Sequence, residues 1–268
     1  MCRLYAFSAT EPTKVECTLV HAQNALLAQS ESDAKGKDHS EGWGVVTFDN
    51  GTPVLERQAW AAYHGEHFAR AAAKIYARTV LAHVRRATVG GPSLDNTHPF
   101  VAGGWAMAHN GTVPAFDAIG PHVLDHTADA ERALIRGQTD SEHVFALLRT
   151  RLGAGADPLD VLADTARDLD RWVGEHAPGR KIGLNLLLTR GEAIYGTRWG
   201  RSLFFVRRDN VHDCEICGFP HIHHDPRRDY WACVVASEPI SHEDWTIVPD
   251  RSVWCIDREA KTLDIEPI

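Results

Sequence analysis

Hydrophobic and polar positions alternate along this chain in two rhythms, period two and period three to four. CRLYAFSA alternates and is rich in β-formers, which predicts a first strand at about residues 2–8. TKVECTLVHAQNALLAQS places Val15, Leu19, Val20, Ala25 and Leu26 at helical spacing. WGVVTFDNGTPVLERQ reads as two strands around an Asn50-Gly51 hairpin turn. HGEHFARAAAKIYAR predicts a helix, TVLAHVRRA a buried strand running into a loop, and GGWAMAHNGTV a strand ending in a glycine turn. Two helices follow, over residues 141–152 and 158–176. The second sets Leu159, Leu162, Ala163, Ala166 and Leu169 against charged positions, as a surface helix does. IGLNLLLTRGEAIYGTRWG and SLFFVRRD predict three antiparallel strands with a turn at Arg190-Gly191, and YWACVVASEPI and RSVWCIDRE supply two or more at the end. Strands, then helices, then strands again predict an α+β protein with helices packed on antiparallel sheets. No linker of Pro, Gly and Ser and no internal repeat divides the chain, so a single domain over 1–268 is expected.

Composition narrows the function classes. The chain has 268 residues, 44% of them hydrophobic, and a formal charge of -8. That balance argues against a nucleic-acid partner, because a phosphate backbone requires clustered Lys and Arg. No apolar run approaches the roughly 20 residues that span a bilayer, and no charged-then-apolar leader opens the chain. The expectation is a cytoplasmic protein with no membrane partner. In that compartment six cysteines do not suggest a disulfide framework. Cys17, Cys233 and Cys255 sit among apolar neighbours and read as buried small hydrophobes.

Cys2 is different, because it lies where a chain is most prone to fray. A structural thiol gains little there. A nucleophile gains a base, since removal of Met1 leaves Cys2 with a thiol and a free α-amine whose ordinary pKa is roughly 7.7–8.0. Four later stretches carry unusual polar content: HVRRATVGG (83–91), NTHPF (96–100), AHNGTV (108–113) and GQTDSEH (137–143). Each alone has an ordinary reading as a surface pair, a turn or a helix cap.

Together, in this order behind MCRL and with GWG at 42–44 and ASEPI at 236–240, they resemble the class II glutamine amidotransferases, which are N-terminal-nucleophile hydrolases. The resemblance is to the stand-alone type, which includes the ergothioneine-pathway γ-glutamyl amidohydrolase and glutathione-degrading relatives. It implies a four-layer αββα sandwich, two antiparallel sheets face to face with helices outside. It also implies an amidohydrolase that cleaves a γ-glutamyl amide, glutamine or a γ-glutamyl small molecule, through a thioester on Cys2. The ammonia is then released, or passed to a separate synthase subunit.

By the same resemblance, Asn110 and the backbone N–H of Gly111 stabilise the oxyanion. Arg85 clamps the substrate α-carboxylate, Thr88 adds a hydroxyl, and Asp140 pairs with the α-ammonium. His98 matches a structural position, whereas Arg86 is not at a matching position and reads as a solvated surface charge. The catalysis implied requires no cofactor. The alternative is a catalytically silent, metal-stapled binding or partner module on the same fold.

One segment falls outside the resemblance. NVHDCEICGFPHIHHDPRRD, at about 210–228, contains Cys214, Cys217, His221 and His223, the ligand types of a tetrahedral zinc site. The span is shorter than in a zinc finger, and a His-rich surface loop competes with a structural zinc as its reading.

Overall fold

The computed structural model describes residues 2–153, 155–222 and 229–268. Two antiparallel sheets form its centre. The first holds seven strands in the order β11-β9-β10-β1-β4-β2-β3. These are β1 (Arg3–Lys14), β2 (Trp43–Asp49), β3 (Thr52–Gln58), β4 (Tyr76–Val84), β9 (Phe204–Asp209), β10 (Trp231–Ala236) and β11 (Thr246–Ile247). The second holds six, in the order β13-β12-β8-β7-β6-β5. Its members are β5 (Phe100–Ala102), β6 (Trp105–Thr112), β7 (Gly183–Thr189), β8 (Ala193–Arg198), β12 (Ser252–Asp257) and β13 (Thr262–Pro267).

The period-two alternation of the strands builds three apolar layers from these two sheets. Leu4, Ala6, Leu81, Cys233 and Val235 of the first sheet meet Ala106, Ala108, Leu187, Trp254 and Ile256 of the second in one cluster, the seam between the sheets. The alternate positions Tyr5, Phe7, Val80, Ala82 and Val234 face outward and are covered by α1 (Leu26–Glu31), α2 (His67–Ala73) and a short helical turn at Cys17–His21. Met107, Leu184, Leu186 and Leu188 face the opposite way, against α3 (Phe116–Asp125), α5 (Asp140–Leu152) and α6 (Pro158–His176). A four-residue helix, α4 (Asp129–Arg132), precedes α5. This is the four-layer αββα sandwich that the resemblance implies.

Where the chain departs from its local pattern, pairing explains it. The helix expected over residues 13–30 is the end of β1, the turn at Cys17–His21 and the short α1. Beyond a register shift between Ser8 and Thr13, β1 pairs Thr13 with Ala77 and Lys14 with Tyr76, so ladder hydrogen bonds outweigh local helical spacing. The helix expected over 64–78 shortens to α2 for the same reason, because Tyr76 opens β4. α3 and α4 have no counterpart in the sequence reading. Among the described residues no helix is long and apolar enough to cross a membrane.

Four histidines, His39, His83, His98 and His109, are buried. His109 has both ring nitrogens in hydrogen-bond contact. Its Nε2 donates to the Gly183 carbonyl at 2.9 Å, and its Nδ1 lies 2.8 Å from the Ser141 hydroxyl. Burial holds the pKa of His39 at about 4 and pushes those of His83, His98 and His109 down from their ordinary value. An unfolded histidine protonates near pH 6.5, so below that pH the unfolded state binds more protons than the folded one. Stability from these rings is therefore complete above about pH 6.5 and is lost as pH falls toward 4. For His39 alone the loss amounts to about 3 kcal/mol. Thermal melts between pH 7 and 4 should show Tm declining through this window, and a flat Tm would mean that the imidazoles are not held neutral.

Candidate active site

Strand parity decides which side chains meet at one end of the seam. Cys2 immediately precedes β1 and shares the inward parity of Leu4 and Ala6. Arg85 follows β4 with the inward parity of Leu81 and His83. Ser237 follows β10 with the parity of Val235, and Asn110 on β6 has that of Ala106 and Ala108. Four segments far apart in the chain thus converge through the alternation of their strands.

Hydrogen bonds fix the convergence. Ser237 N–H donates to the Leu4 carbonyl at 3.1 Å, and its hydroxyl accepts from Leu4 N–H at 2.9 Å and from the Asn110 amide at 3.2 Å. The carbonyl oxygen of the Asn110 side chain is buried without a protein partner. Cys2 is half-buried, with Sγ 3.5 Å from the Arg86 carbonyl. Burial pushes its thiol up, the Arg85 charge pulls it down and the Asp140 charge pushes it up, so both charged groups act on the sulfur.

Arg3, of opposite parity, points to the outer face and carries a buried ion cluster. Its guanidinium reaches Asp33 at 2.5 Å, Glu238 at 2.6 Å and the carbonyl of Cys2 at 3.0 Å. Asp33 also accepts from the backbone of Lys35 and Lys37 and lies 3.3 Å from His39 Nε2. Sequence reasoning missed Arg3, Asp33, Ser237 and Glu238 as site residues. The one available signal was ASEPI, quoted as a motif without a role.

Asp140 opens α5, behind the N-cap Thr139, and is buried. Its carboxylate accepts from Val113 N–H at 2.7 Å and from Ser141 N–H at 2.8 Å. Gly111 follows Asn110 on β6, where an added Cβ would overlap the Gly183 carbonyl of the adjacent strand. That packing is a reason for glycine beyond close approach of a ligand. Thr88 is exposed, with its hydroxyl 3.4 Å from that of Thr112. His98 packs between His83 and Phe100, at ring separations of 4.3 and 4.5 Å. In the GWG stretch, the Gly42 carbonyl accepts from Arg85 N–H at 2.7 Å, and a Cβ on Gly44 would overlap the His98 carbonyl.

Arg85 is held in an unexpected way. Its guanidinium donates to the carbonyls of Val89, Gly90 and Gly91 at 2.9, 3.0 and 3.2 Å, and only 2% of the residue is exposed. It forms no ion pair among the described residues, so the hydrogen bonds that meet this buried cation come from carbonyl oxygens. A cleft of about 310 Å³ lies between the Gly91–Asn96 stretch and Gly137–Gln138. It adjoins the loop after Arg85 and the turn before Asp140, although Cys2 is not in its wall.

Away from this site, Cys17, Cys214, Cys217 and His221 have ligand atoms all within 4.8 Å of one another, a Cys₃His set able to hold a metal ion. His223, expected in that set, lies outside the described residues. Cys17 is buried, as its apolar neighbours imply, but its sulfur belongs to this group. Nothing in the local sequence pointed there, because its partners lie near the other end of the chain.

Comparison with known proteins agrees with the architecture. Residues 1–263 match the family model described as glutamine amidotransferases class-II. "Probable glutamine amidotransferase DUG3" of Saccharomyces cerevisiae is 26% identical, over 100% of this chain and 84% of its own length. Gamma-glutamyl-hercynylcysteine sulfoxide hydrolase of Mycobacterium tuberculosis is 28% identical, over 98% of this chain and 96% of its own. The structure of a glutamine aminotransferase class-II domain protein from Silicibacter pomeroyi superposes with a TM-score of 0.66 at 21% identity, covering 100% of this chain and 99% of that one. A model match over nearly the whole chain, on this sandwich and with a cysteine at position 2, means that the chain belongs to the class II glutamine amidotransferase family.

Proposed function

We propose that the protein is an amidohydrolase that cleaves the γ-glutamyl amide of a small molecule through a thioester on Cys2. What carries this reading is that Asn110 and the Arg85 cation share the inward parity of Cys2 at one end of the seam, while the Asp140 carboxylate, from a separate segment, acts with Arg85 on the Cys2 thiol. A γ-glutamyl group carries an α-carboxylate, an α-ammonium and a scissile carbonyl, and the three groups match those features one to one. The relatives named for γ-glutamyl-hercynylcysteine sulfoxide hydrolysis support a γ-glutamyl small molecule as the substrate class.

The proposed steps balance as follows. With Met1 removed, the Cys2 α-amine accepts the thiol proton and Sγ adds to the amide carbon. The oxyanion forms against the Asn110 amide and the Gly111 N–H. Collapse breaks the C–N bond, and the α-ammonium returns its proton to the leaving amine. Water, deprotonated by the same amine, then attacks the thioester, releasing glutamate and restoring the thiol. No cofactor takes part.

Arg85 binds the α-carboxylate in this scheme, with a planar fork suited to two oxygens. For that, the Val89, Gly90 and Gly91 carbonyls must yield the guanidinium, and the two consecutive glycines permit the backbone change. Thr88 lines the rim and Asp140 takes the α-ammonium. The silent-module reading draws on the same observation, taking the occupied fork of Arg85 as permanent. Turnover separates the two.

Steady-state assays with glutamine and γ-glutamyl amides should find hydrolysis that Cys2→Ala abolishes. Asn110→Ala should lower kcat by about 10²- to 10³-fold with little change in KM, as for removal of an oxyanion donor. Asp140→Asn should instead raise KM by roughly 10- to 100-fold, the worth of a charged hydrogen bond. Wild-type protein lacking Met1 that hydrolyses none of these amides would favour the silent module.

A further inference from the structure

The Cys214–His221 segment poses a physical problem that the reaction at Cys2 does not touch. No residue from 210 to 222 is buried, and Ile216 and Phe219 are 43% and 71% exposed. Ordering a residue costs about 1–2 kcal/mol of backbone entropy, which apolar burial normally offsets. This segment has no such burial, and yet it adopts a defined turn. Gly218 N–H donates to the Cys214 carbonyl at 2.8 Å, Cys214 N–H to the Phe219 carbonyl at 3.1 Å, and Ile216 N–H to the Cys214 sulfur at 3.4 Å. Gly218 closes the turn at φ +74°, a backbone conformation natural to glycine. The turn brings the Cys217 sulfur to 3.2 Å from His221 Nε2 and within 4.8 Å of the Cys214 sulfur.

The fourth member comes from the body of the protein. Cys17 sits in the helical turn that follows β1, and the neighbouring Lys14 N–H donates to the His221 carbonyl at 2.9 Å. Three sulfurs and one imidazole nitrogen thus lie within 4.8 Å of one another without any chain movement. A tetrahedral ion with metal–sulfur bonds of about 2.3 Å sets its ligand atoms roughly 3.7 Å apart, so the group needs to contract by only about an ångström. A disulfide would use two of the sulfurs and leave the third thiol and the imidazole without a role.

We infer that Cys17, Cys214, Cys217 and His221 bind one Zn²⁺ that fastens the 210–222 segment to the end of β1. Soft thiolates with one imidazole select zinc over hard cations, and four protein ligands close the coordination sphere, as in a structural site. Its position agrees. β1 runs from Arg3 to Lys14, so on the order of 35 Å of strand separates the ion from Cys2 at about 3.3 Å per residue. The ion holds a loop and takes no part in thioester chemistry, and the inference does not depend on the proposed activity.

Metal analysis of the full-length protein, purified without chelator, tests it. We expect one zinc ion per chain, lost in Cys17→Ser and retained in Cys255→Ser, which alters a half-buried thiol outside the cluster. If Cys17→Ser fails to fold, the wild-type protein still decides the matter. Mercurial titration of its thiols should release the zinc, and exchange with Co²⁺ should give the intense visible bands of a tetrahedral thiolate site. Metal-free protein, stoichiometric iron or copper, a Cys214–Cys217 disulfide, or zinc retained in a folded Cys17→Ser variant would each overturn the assignment.

Discussion

The buried ion cluster of Arg3 is the contact on which the site depends. A single guanidinium binds the carboxylates of Asp33 and Glu238 on the outer face and the carbonyl of Cys2 across its own backbone. It therefore holds Cys2, the loop after α1 and the end of β10 in one place. Buried ion pairs add little to stability over well-packed apolar groups, but removing one partner strands a charge at a cost of about 3–5 kcal/mol. The cluster is better understood as a positioning device. On the proposed reading this matters because residues near the start of a chain tend to fray, and the Cys2 sulfur has to keep a fixed direction.

Given that anchor, strand parity does the rest. Because side chains alternate across a strand, fixing Arg3 outward commits Cys2 inward, toward Asn110 and Arg85. A one-residue slip of β1 would send the Cys2 sulfur to the helix-covered face. The ladder with β10 and β4 on either side, from Tyr5 opposite Ala236 and Arg3 opposite Val84, resists that slip. On the proposed reading, a zinc ion at Cys17 secures the other end, so the central strand of the first sheet is held at both.

How much of this the sequence disclosed follows from the range of each interaction. The helix α6 was legible because its apolar spacing runs long enough to outweigh competing signals. Cys2 drew notice through its own position beside the chain start, whereas Asn110 and Asp140 read locally as a turn and a helix cap and gained their roles only from the family resemblance. The helix expected over 13–30 was overruled by pairing between β1 and β4, which no local window contains. Arg3, Glu238 and Cys17 were missed for the same reason. Their partners lie at the far end of the chain, and a lone arginine or an apolar-flanked cysteine gives no sign of what it will meet. The carbonyl cage around Arg85 is likewise a property of a folded loop and not of its residue types.

The central claim is that Cys2, freed of Met1, is the nucleophile. Intact mass spectrometry of the purified protein, before and after incubation with a glutamine-analogue diazoketone, tests it most directly. The account predicts a starting mass without Met1, then a single stoichiometric adduct that peptide mapping assigns to Cys2. Processed protein that stays unmodified, or an adduct on another cysteine, would contradict it.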